Sequence, residues 1–172
     1  MAKLDILIAP DRRLKTKAKP VGQVDDRVRK LMDDMLETMY AAPGIGLAAP
    51  QVGVLERVLV IDCTGKEEEN NPVRMVNPEI LWQSDTLNSY EEGCLSLPEQ
   101  FAEVTRPDAC RVRYLDENNR AVEMSCDGLL ATCVQHEIDH LNGVLFVDHL
   151  SALKRNIIMR KLAKWKKAQD EA

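Results

Sequence analysis

Residues 128–141 read Gly128-Leu129-Leu130-Ala131-Thr132-Cys133-Val134-Gln135-His136-Glu137-Ile138-Asp139-His140-Leu141, and Asn142-Gly143 follow. Leu129, Leu130, Ala131, Val134 and Ile138 leave little of this segment polar, which predicts a central helix buried on most sides. Asn142-Gly143 is the pair expected where a helix ends in a left-handed turn. The chain has three histidines, and two of them sit on this apolar helix.

Towards the N-terminus, Val28, Leu31, Met32, Met35, Leu36 and Met39 recur at three- and four-residue steps, which predicts a helix from about Asp25 to Ala41. Asp25 or Asp26 caps it and Pro43-Gly44 stops it. Its methionines are core packing rather than a soft-metal box. Gly44-Ile45-Gly46-Leu47-Ala48-Ala49-Pro50-Gln51 follows as a loop. Arg57-Val58-Leu59-Val60-Ile61 reads as a buried strand. Residues 74–82 and 102–106 are weaker strands, interrupted by Pro78 and ended by Pro107. Residues 110–115 and 121–126 flank Asp116-Glu117-Asn118-Asn119, a hairpin signature. Lys66 to Asn71 is polar and reads as a surface loop. A last helix is expected over 151–168. This order implies one α+β domain over residues 1–172, with mostly antiparallel sheets around the buried helix and a C-terminal helix.

The bulk properties exclude several classes. The chain has 172 residues, 45% apolar and 30% charged, the composition of an ordinary globular domain. A net charge of −5 argues against a DNA-wrapping protein, which needs an excess of cations. No apolar run approaches the ~20 residues that span a bilayer. The first residues make a poor signal peptide, and the five cysteines are odd in number with no C-x-x-C spacing. Free thiols in a reducing cytoplasm are therefore expected.

The chemistry is carried by His136-Glu137-Ile138-Asp139-His140. Residues four apart share a helical face, so the two imidazoles can converge on one divalent ion. Glu137 is turned by about 100° and can reach a water beside that ion without being a ligand. A catalytic site of this kind usually adds a third protein ligand and keeps one position open. A metzincin protease would place a histidine where this chain has Phe146. The downstream acids are Asp148, Asp170 and Glu171; the first is too near along the chain and the others lie at the end. The third ligand is therefore expected upstream, where Glu91-Glu92-Gly93-Cys94-Leu95-Ser96-Leu97-Pro98 places a thiol beside a glycine. Cys133 is the rival. It shares the helix face but lies about 10 Å along the axis from His140, a strained span for one ion. It is better placed as a pocket wall. Cys63, Cys110 and Cys126 fall in strand patterns and read as core.

Three segments in order, Gly44–Gln51, Glu92-Gly93-Cys94-Leu95-Ser96 and His136-Glu137-Ile138-Asp139-His140-Leu141, resemble those of peptide deformylases. The likeness runs from Asp11-Arg12-Arg13-Leu14 to the last helix. It implies a hydrolase that removes the formyl group from the N-terminal formyl-methionine of nascent chains and releases formate. By position it makes Cys94, His136 and His140 the metal ligands. Similar enzymes work with Fe2+, and Zn2+, Ni2+ or Co2+ suit the same donors. It makes Glu137 the proton carrier, and assigns oxyanion stabilisation to the Gln51 side-chain amide and the Leu95 backbone N–H. Gly46 lets substrate backbone lie close. Ile45, Tyr90, Leu129, Thr132 and Cys133 wall the methionine slot. Tyr90 and Thr132 depart from the aliphatic residues common in relatives, and Phe101 replaces a basic residue of some. Arg106 is expected to pair with Glu92, and His149 to serve only at the surface or as a cap.

The last helix carries Lys154, Arg155, Arg160, Lys161, Lys164, Lys166 and Lys167 beside an apolar face of Leu153, Ile157, Ile158, Leu162 and Trp165. Docking onto ribosomal RNA is the reading preferred over a plain solvated face. Two other functions compete with deformylation: a zinc endopeptidase, disfavoured by Phe146, and a metal- or ribosome-binding relative without turnover, disfavoured by the intact Glu137, Gln51 and Gly46.

Overall fold

The computed structural model describes residues 2–65 and 67–172. Helix α1 (Asp26–Ala41) starts where the Asp25 carboxylate accepts from the Val28 N–H. Its buried face is the predicted one, with Val28, Met32, Met35 and Met39 closed from solvent. The loop expected after it is more regular than its sequence suggests. Gly46–Ala48 forms strand β1, and Ala49–Val52 makes a single 3-10 turn that ends at Gly53, with φ +82°. A three-residue strand offers too short a pattern for alternation to be read.

Strands β2 (Val58–Ile61), β3 (Val73–Gln83), β4 (Leu87–Cys94), β5 (Leu97–Pro107), β6 (Ala109–Leu115) and β7 (Ala121–Asp127) follow. Five of the seven strands form an antiparallel sheet in the order β1-β2-β3-β6-β7, while β4 and β5 form a separate two-stranded ribbon. Pro78 does not break β3. The register slips between Val76 and Glu79, and Asn77 takes φ +51°, so a bulge absorbs the proline without ending the strand. Residues 91–98, which carry the expected upstream thiol, span the end of β4, the turn and the start of β5; their glutamates and glycine hide the alternation. Of the polar loop 66–71, Lys66 lies outside the described residues; Glu67 to Asn71 are exposed.

Helix α2 (Gly128–Leu141) is central as expected, buried along Ala131–Ile138 and at His140 and Leu141. It packs on β1, β2, β6 and β7 of the large sheet and touches β5 of the ribbon on another side. Gly143 ends it at φ +74°, where a Cβ would fall 2.6 Å from the Lys15 carbonyl oxygen; only glycine fits. A 3-10 turn (Phe146–His149) then leads to α3 (Ala152–Asp170), capped by the Ser151 hydroxyl. The broad apolar face expected on α3 is narrower in the fold. Ile158 and Leu162 are buried, but Leu153 is 71% and Ile157 is 42% exposed. The helix meets the body along one line rather than a wide stripe.

Candidate metal centre

The site forms where α2 meets the ribbon and the turn after β1. On α2, i,i+4 spacing stacks His136 over His140, with ring centroids 5.0 Å apart. Cys94 ends β4, where the register shift after Gly93 turns its thiol inward. Its Sγ lies 3.3 Å from His140 Nε2. The ligand atoms of Cys94, His136 and His140 all lie within 4.8 Å of one another, the one such group of His, Cys, Asp or Glu among the described residues. Metal–sulfur bonds near 2.3 Å and metal–nitrogen bonds near 2.0 Å, roughly, bring tetrahedral ligands to such separations. A thiolate with two imidazoles is a donor set for a borderline-soft divalent ion, so the residues fit one.

Neighbouring groups hold these donors in place. His136 Nδ1 donates to Glu92 Oε1 at 2.9 Å, which leaves Nε2 as the nitrogen free to ligate. Glu92 is itself gripped by both arms of Arg106, from Nε at 2.7 Å and Nη2 at 3.0 Å, as the family resemblance implied. Burial pushes the Glu92 carboxyl up, but the His136 and Arg106 hydrogen bonds outweigh it and leave it lowered. Burial lowers the His140 imidazole, and the nearby His136 and Arg106 charges add to this. That favours the neutral form that a metal requires.

Glu137 is fully enclosed. Burial pushes its carboxyl up to about 7, against the pull of His136. Its Oε1 is buried without a partner, and its Oε2 is 3.9 Å from His136 Nε2. The place of Gly46 explains how such a carboxylate fits. A Cβ on Gly46 would stand 2.5 Å from Glu137 Oε2, so the missing side chain makes room for the glutamate. The space expected for substrate backbone is thus shared with the glutamate. Gln51 is oriented at both ends: Oε1 accepts from the Ala48 N–H at 2.9 Å, and Nε2 donates to Ser96 Oγ at 3.1 Å and to Cys94 Sγ at 3.5 Å.

These groups face a cavity of about 780 Å³. Ile45, Gly46, Gln51, Tyr90, Cys94, Leu95, Leu129, Thr132, Cys133, His136 and Glu137 all line it, so every expected substrate-side residue meets there. His140 is not among the lining residues and sits behind. Cys133 is a wall and stands outside the three-ligand group. Phe146 occupies the third-histidine position of a metzincin and packs face-on against His136, with ring centroids 6.2 Å apart. Asp148 is engaged by Lys15 and by the Leu145 N–H, away from the cluster.

Two residues were missed. Asp139 lies inside the histidine motif and accepts from Arg106 Nη1 at 2.9 Å. His149, expected only at the surface, donates from Nε2 to Asp139 Oδ2 at 2.7 Å. Ionisable residues outside a recognised spacing gave no signal for either contact.

Comparisons with known proteins point to one family. The family model described as polypeptide deformylase matches residues 3–156. A peptide deformylase of Methylocella silvestris is 59% identical over 162 residues, covering 92% of this chain and 83% of its own length. The crystal structure of peptide deformylase from Ehrlichia chaffeensis superposes with a TM-score of 0.93 at 40% identity, covering 98% of this chain and 99% of that one. The same Ehrlichia enzyme in complex with actinonin gives 0.89 at 43% identity, covering 95% and 98%. The chain belongs to the polypeptide deformylase family.

Proposed function

We infer that this chain hydrolyses the formyl amide at the N-terminal methionine of nascent polypeptides, giving formate and a free amine, at a divalent ion held by Cys94, His136 and His140. The observation that carries the reading is the convergence of these three donors beside a buried, unpartnered carboxylate on one cavity wall.

When bound, the divalent ion supplies a Lewis acid that polarises the formyl carbonyl and makes water acidic enough to react near neutral pH. The protein's own groups supply the rest. Glu137, with its carboxyl near 7, is poised both to take a proton from the attacking water and to give it to the departing amine. The Gln51 amide is held in place by Ala48 and Ser96, so its other N–H, directed at Cys94 Sγ over a long 3.5 Å, is the one available to the developing oxyanion; the Leu95 N–H is the second donor. Ile45, Tyr90, Leu129, Thr132 and Cys133 form the slot for an unbranched apolar side chain. Gly46 serves Glu137 as well as the substrate backbone.

In this reading residues 1–172 act as one domain, the native ion is Fe2+ with Zn2+, Ni2+ or Co2+ able to replace it, and the enzyme works in the cytoplasm. Among the described residues, no helix is long and apolar enough to cross a membrane. The exposed cations of α3, with Leu153 and Ile157 beside them, are the surface proposed to meet ribosomal RNA. Formate release from formyl-Met-Ala by anaerobically prepared protein, with its metal content measured in parallel, tests the assignment. Metal-loaded protein that releases no formate would refute it.

A further inference from the structure

We propose that His149 is a positioning residue for the metal centre, acting through Asp139, Arg106 and Glu92 on the ring of His136. The inference rests on reading His136 as an ion ligand. Four consecutive hydrogen-bonded links join five ionisable side chains. His149 Nε2 donates to Asp139 Oδ2 at 2.7 Å, and the same oxygen accepts from Arg106 Nη1 at 2.9 Å. Arg106 grips both oxygens of Glu92, and Glu92 Oε1 accepts from His136 Nδ1. The chain crosses β4, β5, α2 and the 3-10 turn before α3. It also runs from inside to outside. Glu92, Arg106 and His136 are buried, while the Asp139 and His149 side chains are 24% and 38% exposed.

That gradient gives His149 its role. The inner bonds are fixed by burial, since an unpaired buried charge is costly. Asp139 has no such constraint, because water is available to its carboxylate. Its aim towards Arg106 is held from the solvent side by His149. With His149 gone, the carboxylate can turn outward, and Arg106 Nη1 loses its acceptor in a buried place. The guanidinium plane then re-aims, carrying the Glu92 fork that it holds. Glu92 sets both the tautomer and the direction of His136, and such outer partners control how tightly a ligand holds its ion.

A plain structural role is the rival account, because the bond also ties the turn 146–149 to α2. The two roles separate on metal binding. Nickel- or cobalt-loaded protein is titrated against a competing chelator. Direct partners of a ligating histidine contribute roughly 10–100-fold in affinity, so His149→Phe, farther out, is expected to weaken ion binding about fivefold. The visible spectrum of the cobalt form should change with it, and formate release should lose kcat with KM unchanged. His149→Gln keeps an N–H donor and is expected to bind the ion within about twofold of the parent. Asp139→Asn provides an arm that does not need the phenylalanine variant to fold. Asp139→Asn alone should weaken ion binding to a similar degree, and if the two residues act in series, adding His149→Phe to it brings no further loss. Unchanged ion affinity in His149→Phe, whatever happens to its melting temperature, would overturn the proposal. So would full additivity with Asp139→Asn. Ion affinity is read without substrate, so a failed formate assay would strike the functional reading and leave this one standing.

Discussion

Replacing Gly46 by alanine tests whether the site depends on where the Glu137 carboxylate sits. The new Cβ would lie 2.5 Å from Glu137 Oε2, 2.9 Å from its Cδ and 3.1 Å from its Cγ. Ordinary contact begins at 3.4 Å, so the carboxylate oxygen must retreat by about 0.9 Å. The atoms in the way are the end of a side chain, so the fold can yield; overpacking of this kind costs about 1–3 kcal/mol. The reaction is less forgiving. A catalytic group misplaced by about 1 Å can lose roughly 100-fold in rate. Gly46→Ala should therefore fold, keep its metal and melt a few degrees lower, while kcat for formyl-Met-Ala falls about 100-fold. Formate release under saturating substrate, metal stoichiometry and a thermal melt measure the three quantities. A variant within about threefold of the parent kcat would show that the carboxylate has slack, and the positional argument would fail.

Four further substitutions probe other parts of the molecule. Glu137→Ala should retain the ion and lose about 100- to 10,000-fold in turnover, whereas Cys94→Ala should lose the ion itself; metal analysis beside formate release separates them. Arg106→Ala leaves Glu92 buried without its cation and should destabilise the fold by about 3–5 kcal/mol, read as a lowered urea midpoint. Asp62 is buried and accepts from Tyr40, Thr64 and the Asn71 N–H; burial raises its carboxyl, but these bonds outweigh it and leave it lowered. A lowered carboxyl contributes stability above its unfolded value near pH 4, roughly, and loses it as pH falls through the folded value. Asp62→Asn should thus have a lower urea midpoint than the parent at pH 7, with the gap closing below about pH 4. A gap that persists in acid would show that the carboxylate charge is not what matters.

Strong periodicity made α1, α2 and the 110–126 hairpin legible, because long runs repeat their pattern often enough to outweigh single exceptions. The ribbon was hard to read for the opposite reason. Tyr90, Glu91, Glu92 and Gly93 show no alternation, since β4 is shaped by the groups it offers to α2 rather than by a core face. The three proposed ligands were visible because metal binding demands particular side chains. The support beneath them was only half visible. Glu92–Arg106 followed from the family likeness, but Asp139 and His149 are joined by a turn whose path depends on Gly143 packing against Lys15. That contact lies more than a hundred residues away along the chain and leaves no local pattern.

The division of the strands into two sheets has a consequence for how the molecule opens. The β4–β5 ribbon shares no ladder with the five-stranded sheet and leans on α2, α3 and the turn between them. Its attachment to α2 near the cavity runs through Cys94, Glu92 and Arg106. An ion joining Cys94 to the two histidines would rivet one sheet to the helix that carries the other. Because it favours the closed form by mass action, its removal should free the ribbon amides to exchange with solvent before those of the large sheet. The metal would then set the mechanical seam of the protein as well as its chemistry.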